Sequence, residues 1–331
     1  MTIADSNVQI LVVGGGALGS MFGWRLQVSG CSVSFVCRSN YEVVSQSGFR
    51  IESTRFGNNQ FIPNSLYRNC KDAFDKQTFD YVLICTKSLP NLSNPADMLL
   101  GCEIDSRTVF VLMQNGINIE RYFYSEFPQN RFISAIAYID TKQVESGVIV
   151  HGEAGSLTFG IYTPNEIKDD GSFPSPICQT LETHLIAGGF SAKISENIQR
   201  DRWLKLVWNS TLNPISVLAG GLNSKEIFKD PELVNFITEV MMETISIGEA
   251  VVGGPLSSIP REDIPKSLLD PIRIRKNPVY PSMLVDFTFK RPMEHQVILK
   301  NALDYAADFN VNAPMLKTIY HLIVSNERKY L

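Results

Sequence analysis

The 331-residue sequence predicts an α/β fold: an N-terminal Rossmann-type doubly wound sheet and an all-helical C-terminal domain. Three observations carry this. A strand, a glycine turn, a helix and a second strand follow one another within about 30 residues near the start. Further apolar, β-type runs recur up to Ile194. From Glu196 onward that alternation fades and apolar residues return at helical spacing. The boundary is placed near residue 195, dividing the chain into 1–195 and 196–331.

Val8 to Val13 form the first apolar run, and Gly14, Gly16 and Gly19 then satisfy G-x-G-x-x-G. Ala17 to Gln27 have helical character, Gly30 closes that helix, and SVSFVC reads as the second strand. Gly14 permits the tight turn, Gly16 lets a pyrophosphate approach the backbone, and Gly19 lets the helix lie close to the strand. Ala17 and Leu18 open the helix, whose N-terminus offers unpaired N–H groups and a partial positive charge to phosphates. A plain turn would not need three glycines at this spacing, so the stretch reads as a dinucleotide site.

An NAD-selective site usually carries Asp or Glu about 20 residues further on. Here the second strand ends Val36-Cys37-Arg38-Ser39-Asn40, with no acid. Arg38 offers a planar, permanently charged fork suited to a 2′-phosphate, with Ser39 or Asn40 as helpers. This points to NADP (NADPH); a surface arginine is the plain alternative. FDYVLICTKS reads as a buried parallel strand ending at Thr86 and Lys87, and RTVFVLMQNG as another ending at Gln114, Asn115 and Gly116. Ligands of a doubly wound sheet lie outside the carboxyl ends of its strands, which places both polar clusters at the cofactor mouth. Turn chemistry alone would also account for the Asn-Gly pair. RFISAIAYI and GVIVHGEAGSLTFG extend the sheet, and Pro and Gly thicken around 164–176. An amphipathic segment from Ile177 to Ala187 then leads to a short strand from Ser191 to Ile194.

Composition narrows the class. A net charge of −4 without a clustered basic run argues against a nucleic-acid partner. No apolar run reaches the roughly 18 residues that span a bilayer, so no membrane partner is expected. The N-terminus lacks a basic flank before its apolar stretch, which reads as a strand rather than a secretory signal. Six cysteines without a C-x-x-C pair and four scattered histidines show no metal spacing, and reduced thiols of a cytoplasmic protein are the simplest account.

Candidate helices of the second half cover 197–219, 231–251, 283–290, 292–309 and 314–328. The first contains DRWLKLVWNSTLNPISVLAGG, where Lys205, Asn209 and Asn213 fall in one stripe of roughly 80°. Leu206 and Val207 lie beyond one edge, and Trp208 and Leu212 at the other. The stripe is too narrow and too weakly charged for an ordinary solvent-facing one. It reads as a polar seam facing a cleft, with an amphipathic helix of incidental polar residues as the plain alternative. Pro214 is expected to end or kink the helix just after Asn213.

The ordered series GGGALG, CTKS, MQNG, WLKLVWNSTLNP and SMLVDFTFKRPMEH resembles the 2-dehydropantoate 2-reductases, or ketopantoate reductases, over most of the chain. The resemblance implies an NADPH-dependent reductase of a 2-oxo acid, with ketopantoate the leading substrate and the route to pantothenate its setting. It makes Lys205 the catalytic lysine, Asn209 and Asn213 the substrate-binding asparagines, Ser282 the substrate-binding serine and Glu294 the catalytic glutamate of the closing helix. Asn115 is implied at both substrate and cofactor, and Lys87 and Glu294 at the cofactor. The chemistry fits these residue types. Reduction needs a proton donor at the carbonyl oxygen, where negative charge develops, and a lysine ammonium supplies both charge and proton. Amides one and two turns further on can hold a neighbouring hydroxyl.

The chain departs from the family pattern at Gln296 and Lys300, where an acid and a glycine are common, and at Pro281, where a small hydroxyl residue is. Two alternatives stand beside the main reading: a reductase of another branched or aromatic 2-oxo acid, and an NADP-binding sensor without turnover. Intact Lys205 and Glu294 argue against the sensor. A homodimer is left open.

Overall fold

The computed structural model describes residues 8–164 and 172–331. The first seven residues and much of the Pro- and Gly-rich stretch at 164–176 lie outside the described residues. The chain forms two compact units, one of Met1–Lys87, Pro95–Gln114 and Glu120–Ile198, the other of Ser88–Asn94, Asn115–Ile119 and Gln199–Leu331.

The first unit is built on one mixed sheet of ten strands: β1 (Gln9–Val13), β2 (Ser32–Val36), β3 (Phe49–Ser53), β4 (Gly57–Phe61), β5 (Ser65–Tyr67), β6 (Tyr81–Ile84), β7 (Val109–Leu112), β8 (Arg131–Glu145), β9 (Val148–Tyr162) and β10 (Ser191–Ile194). The order is β4-β3-β9-β8-β7-β6-β1-β2-β5, with β10 paired to β9. From β5 through β2, β1, β6 and β7 to β8 every pairing is parallel, as the expected doubly wound core requires. The inner strands β6 and β7 are buried at every residue, the pattern of a strand covered on both faces.

Helix α1 (Ala17–Val28) crosses from β1 to β2 and ends in a Schellman turn. The Cys31 amide donates to Leu26 O and the Gly30 amide to Gln27 O, with Gly30 left-handed at φ 99°. Helix α1 touches β1 and β2 and also β8 and β9, which lie on the far side of β6 and β7, so the sheet curls around it. Among the described residues the unit also holds the shorter helices α2 (Tyr41–Ser47), α3 (Cys70–Phe74) and α4 (Arg121–Glu126) and the equally long α5 (Pro176–Ala187). Ile10, Val12, Phe22, Phe35 and Phe49 lie at the heart of its core.

Beyond β8 the sheet leaves the simple parallel pattern. Strands β8 and β9 form a long antiparallel hairpin. One edge of β9 is shared, with β3 pairing along Val148–His151 and β10 along Ser156–Phe159. The hairpin of β3 and β4, and the short β5, carry no motif in the sequence.

The second unit is helical: α6 (Ile198–Asn209), α7 (Leu212–Leu218), α8 (Ser224–Ile227), α9 (Pro231–Val252), α10 (Ile264–Arg273), α11 (Ser282–Thr288), α12 (Asn301–Asp308) and α13 (Pro314–Glu327). A single π-type turn, Gln296–Lys300, leads into α12. Helix α9 has the strongest local signals. Asp230 caps it through the Glu232 and Leu233 amides, Pro231 takes its first position, and Gly253 ends it at φ 69°.

Two corrections to the sequence expectation concern helix ends. The helix expected over 197–219 is two helices, broken at Ser210 and Thr211. Pro214 sits in the first turn of α7 and does not end or kink a helix after Asn213. Its ring would collide with the carbonyl four residues earlier, so the break falls one turn before it, and a first-turn proline costs no hydrogen bond. The helix expected from 292 begins only at His295. Helix α10, unexpected because Pro265 and Pro271 lie in it, accommodates Pro265 in its first turn for the same reason.

Candidate active site

In the first unit the glycine turn has the geometry its spacing implies. Gly14 has φ 111°, a left-handed backbone that few other residues adopt. A Cβ on Gly19 would lie 2.1 Å from the Gly14 carbonyl oxygen, so helix and strand approach as closely as glycine allows. A Cβ on Gly16 would meet nothing within 4 Å, which leaves its backbone open to a ligand. Helix α1 has no side-chain cap at Gly16 and no acid in its first turn, so neither its cap residue nor its first turn offers an anion to the N–H groups around Ala17 and Leu18. This cradle fits a dinucleotide pyrophosphate.

Arg38 and Ser39 are exposed at the end of β2. Asn40 is buried instead, with its Nδ2 donating to Gly15 O at 2.6 Å and its Oδ1 accepting from Ser146 Oγ at 2.8 Å. It holds the glycine turn from behind, which corrects its expected place beside Arg38 as a phosphate helper. Lys87 is exposed just past β6.

In the second unit four residues distant in sequence form one hydrogen-bonded group. Asn115 bridges two of them: its Oδ1 accepts from Lys205 Nζ at 3.2 Å, and its Nδ2 donates to Glu294 Oε2 at 3.3 Å. The other Glu294 oxygen accepts the Ser88 amide at 3.1 Å. Glu294 is buried, and its neighbours are fixed by Glu327, which accepts the Met293 amide at 2.6 Å and faces His295 Nε2 at 2.8 Å.

The Asn115 segment is itself held on three sides. The Ile117 amide donates to Val297 O at 3.1 Å, within the π-type turn. Asn301 Nδ2 donates to Ile117 O at 2.8 Å, and Arg202 Nη1 donates to Gly116 O at 2.9 Å. Gly116 has φ 87°, and a Cβ there would lie 2.4 Å from Val297 O. The Asn-Gly pair thus answers to close packing as well as to turn chemistry.

Helix α6 carries Lys205 into this group. Trp203, Leu206 and Val207 are buried, and Trp203 packs against Gly248 of α9, where a Cβ would come within 3.0 Å of the indole. Lys205 keeps part of its surface exposed, yet protein packing around it lowers its ammonium to about 8. Arg202 adds to that lowering and Glu294 opposes it. Of the two effects in competition at this lysine, desolvation wins.

Asn209 and Asn213 are both buried, on α6 and α7 respectively. Among the described residues the Asn213 Nδ2 has no hydrogen-bond partner, an orphan donor that folding alone does not explain. Ser282 is exposed at the start of α11, which packs on the α7 helix of Asn213. Gln296 reaches Asn301 Oδ1 at 3.4 Å, and Lys300 pairs with Asp304 along its helix. Ser88, the last residue of CTKS, and Arg202, which precedes WLKLVWNSTLNP, join the group although sequence reasoning gave neither a role. The one signal available was spacing, since Arg202 precedes Lys205 by three residues on one helix face. Among the described residues no cluster of His, Cys, Asp and Glu could hold a metal, and no helix is long and apolar enough to cross a membrane.

Comparison with known proteins gives a consistent pattern. Residues 10–164 match the family model described as ketopantoate reductase PanE/ApbA, and residues 197–327 match that of its C-terminal part. The chain is similar to the 2-dehydropantoate 2-reductase of a Nostoc species, 28% identical over 310 residues, which span 94% of this chain and 92% of the relative. It is similar in structure to the 2-dehydropantoate 2-reductase of Methylococcus capsulatus, with a TM-score of 0.84, 34% identity and 97% of each chain covered. The same fold occurs in a D-mandelate dehydrogenase solved with NADH and anilino(oxo)acetate, with a TM-score of 0.82, 19% identity and 97% and 98% of the two chains covered.

Proposed function

The chain belongs to the ketopantoate reductase family, and on that premise we propose that it uses NADPH to reduce 2-dehydropantoate (ketopantoate) to pantoate, a step toward pantothenate. The family's members are NADP-dependent oxidoreductases acting on CH–OH groups. The observation that carries the proposal is the Lys205–Asn115–Glu294 group, with its ammonium brought down to about 8 in a partly desolvated setting.

NADPH, when bound, supplies the hydride. Gly14, Gly16 and Gly19, with the α1 N-terminus at Ala17 and Leu18, would hold the pyrophosphate, Arg38 would hold the 2′-phosphate, and Lys87 would serve the same nucleotide. Because a protein of this fold is solved with NADH, the choice of NADPH rests on Arg38 and on the lack of an acid after β2. Lys205 donates a proton from Nζ to the carbonyl oxygen, so that hydride plus proton turn the ketone into a secondary alcohol. Solvent then reprotonates the neutral amine. Asn115 aligns Nζ, and Glu294 anchors Asn115 while keeping part of the lysine population charged. Asn209, Asn213 and Ser282 hold the polar groups of the oxo acid, the Asn213 Nδ2 orphan among their donors.

The decisive experiment is steady-state NADPH oxidation against a panel of 2-oxo acids, with ketopantoate, smaller branched acids and aromatic acids side by side. The proposal expects the highest kcat/KM for ketopantoate. A higher value for an aromatic acid would reassign the substrate, and no turnover with any would remove the catalytic reading.

A further inference from the structure

The chain after β2 carries no acid through Asn40, but Tyr41 and Glu42 follow, so a carboxylate stands four residues beyond Arg38. An unpaired carboxylate at this edge of the sheet would repel a 2′-phosphate and suit a ribose hydroxyl instead. The structure gives Glu42 a partner. Strands β2 and β5 run parallel with Val36 opposite Tyr67, and the Cys37 amide donates to Tyr67 O at 3.0 Å, so Arg38 and Arg68 leave neighbouring strand ends on the carboxyl edge. The Tyr41 amide donates to Arg38 O at 3.2 Å, a turn that keeps the start of α2 at the same edge. Arg68 lies over Tyr41, its guanidinium carbon 3.9 Å from the ring centroid, and its Nη2 donates to Glu42 Oε1 at 2.5 Å.

Folding alone does not call for this arrangement. The Arg68 and Glu42 side chains are 58% and 66% exposed, and an exposed ion pair adds little to stability. Tyr41 is half-buried against the core and steadies the guanidinium plane by stacking. Among the described residues the bond to Glu42 is the only hydrogen bond of the Arg68 side chain, so most of its five donors stay open.

We propose that Arg68 is a second specificity-determining residue for the cofactor: held on Tyr41, it neutralises Glu42 and adds a positive charge beside Arg38 for the adenosine 2′-phosphate. This rests on NADPH being the reductant. With Arg38 alone the phosphate would meet one cation and one anion; with Arg68 the edge carries two cations against Glu42. The planar fork of arginine suits the oxygens of a phosphate. The consequence is a preference between cofactors, read in binding without turnover.

The test is equilibrium titration, at one ionic strength, of NADPH, NADH and two fragments, adenosine 2′,5′-bisphosphate and AMP. The chains compared are the parent, Arg68→Leu, Arg68→Lys, Glu42→Gln and the double variant Arg68→Leu/Glu42→Gln. Arg68→Leu should weaken NADPH and the bisphosphate by about tenfold and leave NADH and AMP within about twofold. Arg68→Lys keeps the charge without the fork and should lose about threefold. Glu42→Gln should leave NADPH as tight as in the parent or tighter, and in the Arg68→Leu background it should return about threefold of the loss, because the uncovered carboxylate is gone. Equal losses for all four ligands in Arg68→Leu overturn the proposal, as does a lower melting temperature with the NADPH-to-NADH ratio unchanged, which is what a surface pair of purely structural use would give. A double variant no better than Arg68→Leu overturns the neutralising role. Arg38→Ala keeps the two ideas apart. If the parent binds the bisphosphate no more tightly than AMP, the NADPH reading itself fails; if Arg38→Ala abolishes that preference while Arg68→Leu retains it, only the role of Arg68 fails.

Discussion

Gly14, Gly16 and Gly19 sit within six residues and present backbone, whereas Ser88, Asn115, Lys205 and Glu294 are spread over 206 residues and present mostly side chains. A backbone cradle is specified where it stands: a strand, a left-handed glycine and a helix start are enough. A side-chain group of this kind exists only after distant segments have packed, and each member depends on what holds it. The first region therefore tolerates change elsewhere in the fold. The second should be sensitive to residues that touch no ligand.

The largest expected effect tests the chemistry of the second region. Lys205→Ala should lower kcat by about 100- to 10,000-fold or more while leaving NADPH affinity near the parent's. Stopped-flow kinetics with cofactor titration would check it, and turnover within a fewfold of the parent would end the acid role.

Next in size is a residue remote from the reaction. Glu327→Ala removes the acceptor for Met293 and His295 on either side of Glu294, and should cost about 3 kcal/mol of stability. Burial alone would raise the Glu327 carboxyl, but the bonds from His295 and the Met293 amide, with the charge of His295, hold it below its ordinary value. Its contribution is therefore complete above the unfolded value of about 4.3 and is lost as pH falls through the lower folded one. The stability gap between parent and variant, read by thermal unfolding, should narrow below about pH 4. A gap independent of pH there would mean that the carboxylate charge is not what holds the segment.

Arg38→Ala addresses the first region. It should weaken NADPH by about 10- to 150-fold and leave NADH nearly unchanged, as measured by fluorescence titration. Equal losses for both cofactors would take the 2′-phosphate away from Arg38. The smallest effect is expected at Asn213, where replacement by Ala should raise KM for the oxo acid by about 3- to 10-fold with NADPH affinity intact. A lower melting temperature with unchanged KM would make its buried amide a packing feature.

The contrast also explains what could be read from the chain. The strand–turn–helix over 9–36, the buried strands β6 and β7 and the switch to helices after Glu196 follow from local spacing, and the structure shows each. Helix α6 was visible through its apolar neighbours, but not its end: the break at Ser210 is set by Pro214, whose clash acts one turn upstream. Asn40 is ambiguous in the sequence because a polar residue after a strand looks the same whether it faces a ligand or, as here, the Gly15 carbonyl. The pairing of β3 with β9 joins segments about a hundred residues apart, which no local pattern announces. The same holds for Ser88, found on Glu294 through its backbone amide, an atom every residue but proline possesses.

The discontinuity of the helical unit bears on recombination. A fragment starting at 199 would contain Lys205 and Glu294 but would lack Asn115, which bridges them, and Ser88, which holds the second carboxylate oxygen. Gene shuffling at the apparent seam would thus pair a lysine from one parent with an alignment residue from another. A chimera between relatives that is meant to inherit one parent's acid–base behaviour must carry three exchanged pieces, 88–94 and 115–119 along with the C-terminal stretch. A single crossover near 195 would leave the two short pieces with the other parent.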